Sequence, residues 1–367
     1  MRIFNTKLIG LWNRFERPMS LGALAVGFAF DLYIAKSPES IADNILLLSY
    51  LFIAAAIIIL LHIHKTRNEA REHPAQPLVL LLMLQFCLGG LASNLLVLYG
   101  KSGTLGGSAL FILLLAALLL GNEFFKSRYA QLLLAVAVYY FLLLTYCLIA
   151  LPTFVFHSLG TKIFLISAAT SLVPIGVLLA ILYSAVLRGS KSASRRGQLL
   201  QMAGAVAGVL VMFNALYFFN VIPPAPLALK AVGVYHSVVE HEGTYTGEFE
   251  VPAWFVFWRD TAATYTIVPG QPAYCFSAVF APGALQTTIV HRWEYFYPKT
   301  GHWITVSRVS FPLAGGREDG YRGFSQKQVL EPGQWRCDIE TAEGQLIGRI
   351  TFDMVAGPAP ALSTSQL

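Results

Sequence analysis

Residues 43–64 read DNILLLSYLFIAAAIIILLHIH, with no charged residue between Asp43 and His62. A helix rising about 1.5 Å per residue needs about 20 apolar residues to cross a hydrocarbon core about 30 Å thick. This run is long enough. Lipid offers no partner to open backbone groups, so a run of this kind spans as a helix. Six further windows share the character, roughly 19–35, 77–98, 104–121, 129–150, 162–187 and 198–219. The windows 19–35 and 104–121, first and fourth in chain order, are short, and the first contains Asp31, so about seven spans are expected.

These windows explain the bulk numbers. The chain of 367 residues is 56% hydrophobic and 13% charged, with a mean hydropathy of +0.59. A soluble domain carries roughly 25% charged residues. The deficit is uneven: residues 1–221 hold 16 Lys+Arg against 7 Asp+Glu, and residues 222–367 hold 10 against 13. Two regions of opposite charge and unlike hydropathy are two structural units. No Lys/Arg run interleaves with aromatics in a polar domain, which argues against nucleic acid as a partner and leaves the lipid bilayer.

The connecting segments carry an alternation. Arg2, Lys7, Arg14 and Arg17 precede the first window; Lys65, Arg67 and Arg71 follow the second; Lys126 and Arg128 follow the fourth; Arg188, Lys191, Arg195 and Arg196 follow the sixth. The alternate connections hold only Lys36, Lys101 and Lys162. Positive charge stays cytoplasmic, so the expectation is an inner-membrane protein with its N-terminus inside and everything beyond residue 220 outside. Residues 1–18 place Ile3, Phe4, Leu8, Leu11, Trp12 and Phe15 at helical spacing among basic residues, as a helix lying on the cytoplasmic leaflet would. A cleavable signal peptide is the competing reading, and no small-x-small site supports it. Polar residues within the windows are few, Asp31, Asn94, Asn214 and some Ser/Thr among them, with Gly204 and Gly208 forming a small-residue face suited to close helix packing.

The segment VIPPAPLALK (221–230) is a Pro-rich linker that ends the last helix. Beyond it, strand-forming runs divided by Gly/Pro turns fall near 244–251, 253–258, 263–268, 273–280, 286–296, 302–311, 324–330, 334–341 and 345–355. In WRCDIE, Trp335, Cys337 and Ile339 share a face opposite Arg336, Asp338 and Glu340; in LIGRITFDM, Leu346, Ile350, Phe352 and Met354 oppose Arg349, Thr351 and Asp353. Such alternation means one wall buried and one wet. The expected architecture is an α-helical polytopic membrane domain (19–220) followed by an all-β, Ig-like two-sheet sandwich (231–356) and a disordered tail (357–367).

Four stretches, VHRWEYF (290–296), GYRGFSQKQV (320–329), PGQWRCDIE (332–340) and GQLIGRITF (344–352), resemble the C-terminal domain of bacterial membrane proteins of domain-of-unknown-function family 2914. His291, Arg292, Trp293, Gly333, Trp335, Arg336, Gly344, Gly348 and Phe352 carry the match, over about residues 285–355. The resemblance implies a multi-span N-terminal half and no established activity. Cys337 stands where an aliphatic residue is expected after the Trp-Arg pair.

Cys275 and Cys337 are either a disulfide, which an oxidising compartment permits, or two buried thiols. His236, Glu240, His241 and Glu242 cluster, but zinc needs three or four converging ligands, and no metal or cofactor is expected. His291 with Arg292, or Asp260 with His302, lacks the accompanying motifs of a catalytic site, and no catalytic residue is assigned. Trp254, Trp258 and Trp303 are candidate aromatic platforms, and Arg317 and Arg322 candidate contacts for an anionic ligand; Trp293 and Trp335 read as core. The function expected is a periplasmic module for binding a glycan, peptide or protein partner, or for envelope support. The alternative is a membrane-embedded enzyme or carrier acting on a lipid or glycan, built on Asp31, Asn94 and His157.

Overall fold

A computed structural model describes residue 29 and residues 40–68, 78–102, 108–124, 131–186, 192–254, 256 and 259–367. Two compact units emerge, one of Met1–Gly100, Leu110–Leu151 and Phe164–Phe219, the other of Lys101–Ala109, Pro152–Ile163 and Asn220–Leu367. The amphipathic segment 1–18, the first apolar window with Asp31, and Trp258 lie outside the described residues.

The first unit is helical: α1 (Ile41–Asn68), α2 (Leu78–Ser102), α3 (Ala109–Phe124), α4 (Leu132–Leu151), α5 (Thr161–Ile181) and α6 (Ser192–Phe218). Among the described residues, five helical stretches are long and apolar enough to cross a membrane: Ile41–His64, Val79–Ser102, Leu132–Phe156, Thr161–Ser184 and Arg196–Phe218. Ala109–Gly121 is a shorter apolar helix. The sequence LLLAVAVYYFLLLTYCLIAL is apolar all round, and α4 is accordingly central, packed against α1 and α6 with every residue from Val138 to Ala150 buried. Its polar groups find partners inside the unit. Tyr99 donates to the Thr145 carbonyl at 3.1 Å, Tyr146 donates to Asn44 at 3.1 Å, and the Tyr140 and Ser171 hydroxyls lie 3.2 Å apart.

Two readings of the helices need correction. Gly204 and Gly208 have nothing within 4 Å of where a Cβ would sit, so the small-residue face is not a packing seam among the described residues. Close approach occurs at Gly90 instead, where a Cβ would meet the Tyr50 ring at 2.8 Å. Asn94 and Asn214 turn back on their own helices, donating to the carbonyls of Gly90 (2.9 Å) and Leu210 (2.8 Å).

The second unit is β-rich: β1 (Ala228–Tyr235), β2 (Ser237–His241), β3 (Thr244–Glu250), β4 (Thr264–Ile267), β5 (Ala273–Phe280), β6 (Gln286–Tyr297), β7 (His302–Ala314), β8 (Tyr321–Lys327), β9 (Gly333–Thr341), β10 (Leu346–Ala356) and β11 (Leu362–Gln366). They form three sheets, of order β4-β10-β9-β6-β7, β1-β5-β8 and β11-β3-β2. The pairings are antiparallel except β10 with β4.

The expected two-sheet arrangement is thus replaced by three layers. Cys275 and Val234 of the middle sheet share a core with Trp293, Trp335, Cys337, Phe352 and Met354 of the five-stranded sheet. On the other side of the middle sheet, Tyr235, Phe276 and Ala278 pack with Val238, Tyr245 and Phe249 of the third sheet. The run AYCFSAVF of β5 is apolar on both alternating sets because both of its faces are covered.

Five local expectations change with this arrangement. The linker runs into β1 from Ala228; its Ala, Gly and Lys make a weak strand sequence, rescued by pairing with β5. Residues 237–241 are a strand, and the tail expected to be disordered supplies β11 against β3. Residues 251–254 are not strand. Finally, Pro152–Ile163 joins this unit through His157, whose backbone is left-handed at φ 49° and whose carbonyl accepts the Gln286 N–H at 3.0 Å.

Candidate functional site

β5, β6 and β9 bring their inward residues to one point between the five-stranded sheet and the middle sheet. Cys275 of β5 and Cys337 of β9 are joined in a disulfide, with 6.6 Å between their Cα atoms. His291 of β6 lies beside it, fully buried, one ring nitrogen 2.8 Å from the Ser277 hydroxyl and the other 3.0 Å from that of Ser325. Trp293 also donates its indole N–H to Ser325, at 2.9 Å. The two sulfurs and one His291 nitrogen all lie within 4.8 Å of one another. Burial disfavours the imidazolium and lowers the His291 pKa to about 3, so the ring is neutral. Trp293 and Trp335 meet edge to face at 6.5 Å, closing the core around the bridge.

The opposite face of β6 and β9 is charged. Arg292 reaches Glu294 at 2.8 Å, Asp338 at 3.0 Å and Glu340 at 2.5 Å. Arg336 pairs with Glu294, and Arg349 grips Asp338 through two nitrogens at 2.5 Å each. Arg308 stands 3.7 Å from Glu340. This corrects the expectation of a wet face. The three carboxylates are 0–4% exposed, roofed by the arginines, and Arg336 is itself largely covered, with its guanidinium 4.3 Å from the centre of the Trp303 ring. Burial raises the Glu340 pKa and Arg292 opposes the rise, while hydrogen bonds from Arg349 to Asp338 raise the Arg349 pKa. Matched in this way, the carboxylates brace the sheet. The signal was present in sequence: R-x-E in β6 and R-x-D-x-E in β9 place opposite charges on one face of neighbouring strands.

The remaining candidates disperse. Trp303 packs on Phe296 at 5.3 Å, so it is no open platform, whereas Trp254 is 93% exposed. Arg317 lies over the Tyr321 ring at 5.7 Å and Arg322 is 3.9 Å from Asp319. His236 does not gather ligands with Glu240, His241 and Glu242; it bonds Glu250 at 3.0 Å and stacks on Tyr265. Gly333 opens β9 and Gly344 serves the β9–β10 turn, both at positive φ (135° and 84°), and Gly348 admits Leu229, whose side chain a Cβ would meet at 2.2 Å. A groove of about 630 Å³ is lined by Ser158, Gln286, Thr288, Tyr321 and Glu343 with apolar neighbours such as Leu159. Sequence reading missed it, because Ser158 and Leu159 come from a connection between two helices.

Comparison with known proteins finds a family match over part of this site, which leaves out Cys275 and Ser277. Residues 286–354, from β6 to β10, match the family described as "Protein of unknown function (DUF2914)", in the C-terminal part of the chain. No curated protein matches. Among solved structures, Pseudomonas fluorescens alkylpurine DNA glycosylase AlkC, bound to DNA containing an abasic site analog, aligns at 12% identity over 88% of this chain and 99% of that chain. Its TM-score of 0.22 is too low to carry an argument.

Proposed function

We propose that this chain, with its C-terminal unknown-function domain, is an integral inner-membrane protein that presents the β-rich unit to the periplasm as a module for binding or envelope support. The observation that carries the reading is the buried Cys275–Cys337 bridge in a unit that follows α6 by a few residues. Structural disulfides form and persist in oxidising compartments and are rare in the cytosol. The positive-charge alternation independently sends residues beyond 220 to that side. The five membrane-length helices supply the anchor.

The ligand surface we favour is the groove beside β6 and β7. Its volume lies in the range of small-ligand sites. Hydroxyl, amide and phenol groups, with the carboxylate of Glu343, suit a glycan or a peptide backbone better than an anionic ligand.

Alkaline phosphatase fused after Leu367 is expected to be active, and a reporter that requires the cytoplasm is expected to stay silent there; the reverse pattern overturns the placement. For the groove, cell-wall glycan and peptide fragments are titrated against the detergent-solubilised chain. Binding that Tyr321→Ala and Gln286→Ala weaken supports the assignment, and binding indifferent to both removes it.

A further inference from the structure

We propose that Cys275, Cys337 and His291 become a buried site for a thiophilic divalent cation of the zinc class when the disulfide is reduced. Three donors are already gathered within 4.8 Å of one another, and each of the three residues is fully buried. Zinc holds sulfur at about 2.3 Å and imidazole nitrogen at about 2.0–2.1 Å, so donors around one ion stand up to about 4 Å apart. Moving from the bridged to the metal-bound arrangement therefore requires the sulfurs to part and the donors to adjust by an ångström or so, on the order of a rotamer change. Two thiolates and an imidazole form a soft donor set, which selects zinc-like ions over magnesium or calcium.

The surroundings fit the same assignment. Both ring nitrogens of His291 have serine partners, Ser277 and Ser325. Whichever nitrogen turns to the ion, the other keeps a hydroxyl that fixes the ring, as metal-bound histidines are generally fixed. Ser325 is held in turn by Trp293. Because Cys275 belongs to β5 and Cys337 to β9, the ion would join the same two sheets that the bridge joins. The reduced unit would thus keep a cross-link at the same place.

The chemistry balances. A dithiol donor delivers two electrons and two protons and is oxidised to its own disulfide; the Cys275–Cys337 bond breaks and two S–H bonds form. The cation then displaces those two protons and forms two metal–sulfur bonds, while neutral His291 contributes a lone pair.

The test uses the full chain in mild detergent, reduced with a phosphine and titrated anaerobically with cobalt(II). The expected result is one cobalt per chain, an absorption band from thiolate-to-cobalt charge transfer, protection of both thiols from alkylation, and displacement of cobalt by zinc. The oxidised chain should show none of these. Cys337→Ser should abolish the band; Cys87 and Cys147 remain in that variant, so a band arising from them would persist and overturn the proposal. His291→Gln, which removes a ligand, should weaken binding by more than the roughly tenfold to hundredfold that loss of a ligand's hydrogen-bond partner costs. A reduced chain whose thiols react freely with no band, or one whose β structure is lost with and without metal, equally overturns it.

Discussion

Trp335 and Arg336 are neighbours on β9 that face opposite ways, and both matter to stability for different reasons. Trp335 is 2% exposed among Trp293, Tyr295 and Phe352. Trp335→Ala should cost about 3–5 kcal/mol in denaturant unfolding, the range for emptying an aromatic site. Alternation alone implies that Arg336 can be removed at little cost unless it holds a buried partner. Its partner Glu294 is 4% exposed, however, so Arg336→Ala strips a buried carboxylate of one of its two arginines. We expect a loss of about 1–3 kcal/mol, the cost of an incompletely satisfied buried group. The face of Arg336 was legible in WRCDIE; what covers that face depends on β6 and β10, which no local pattern specifies. His291 supplies a pH dependence. Its ordinary value of 6.5 falls to about 3 on burial, so below about pH 6.5 the unfolded chain binds a proton that the native chain refuses. Its contribution is intact above that pH and declines as pH drops towards 3, by up to about 1.4 kcal/mol per pH unit. Glu340, raised by burial, acts in the opposite sense, since the native chain there holds its proton more readily. The readout is therefore a comparison: unfolding midpoints of the parent chain should fall more steeply below pH 6.5 than those of His291→Gln.

At the scale of elements, the hairpin of β9 and β10 was the most legible part, because period-2 alternation and the turn through Gly344 agree with each other. Strands β1, β2 and β11 were not legible. Their sequences ALKAVGVY, SVVEH and LSTSQ are weak or polar, and they are strands because partners elsewhere in the chain pair with them. The bridge binds elements that alternation cannot relate. It closes a loop of 62 residues between β5 and β9, for which chain-entropy reasoning gives about 4 kcal/mol. The double variant Cys275→Ser, Cys337→Ser, unfolded without added metal, should lose stability of that order. A loss well under about 1 kcal/mol would mean that the core around Trp293 and Trp335 holds the sheets together unaided.

For the whole molecule, hydropathy located the helical region well because a long apolar run is a local signal, whereas the three-layered β unit depends on pairings between distant segments. Expressing residues 221–367 alone should give a soluble domain with one cooperative unfolding transition, since about 150 residues suffice for a self-sufficient core. Residues 228–355 alone should be less stable, lacking β11 and the buried Leu227, and a difference in denaturant midpoint checks this. The placement of β11 has a further consequence, in time. Leu362 pairs with Glu250, so from the moment β3 emerges during synthesis its outer edge stands open until residues 362–366 appear. At about 5–20 residues per second that wait lasts roughly 6–20 s. Both halves of the sulfur bridge and all of the charged sheet face emerge within it. Both cysteines and the charged face are thus synthesised before the unit is fully clad, and an exposed strand edge in that interval invites pairing with another chain.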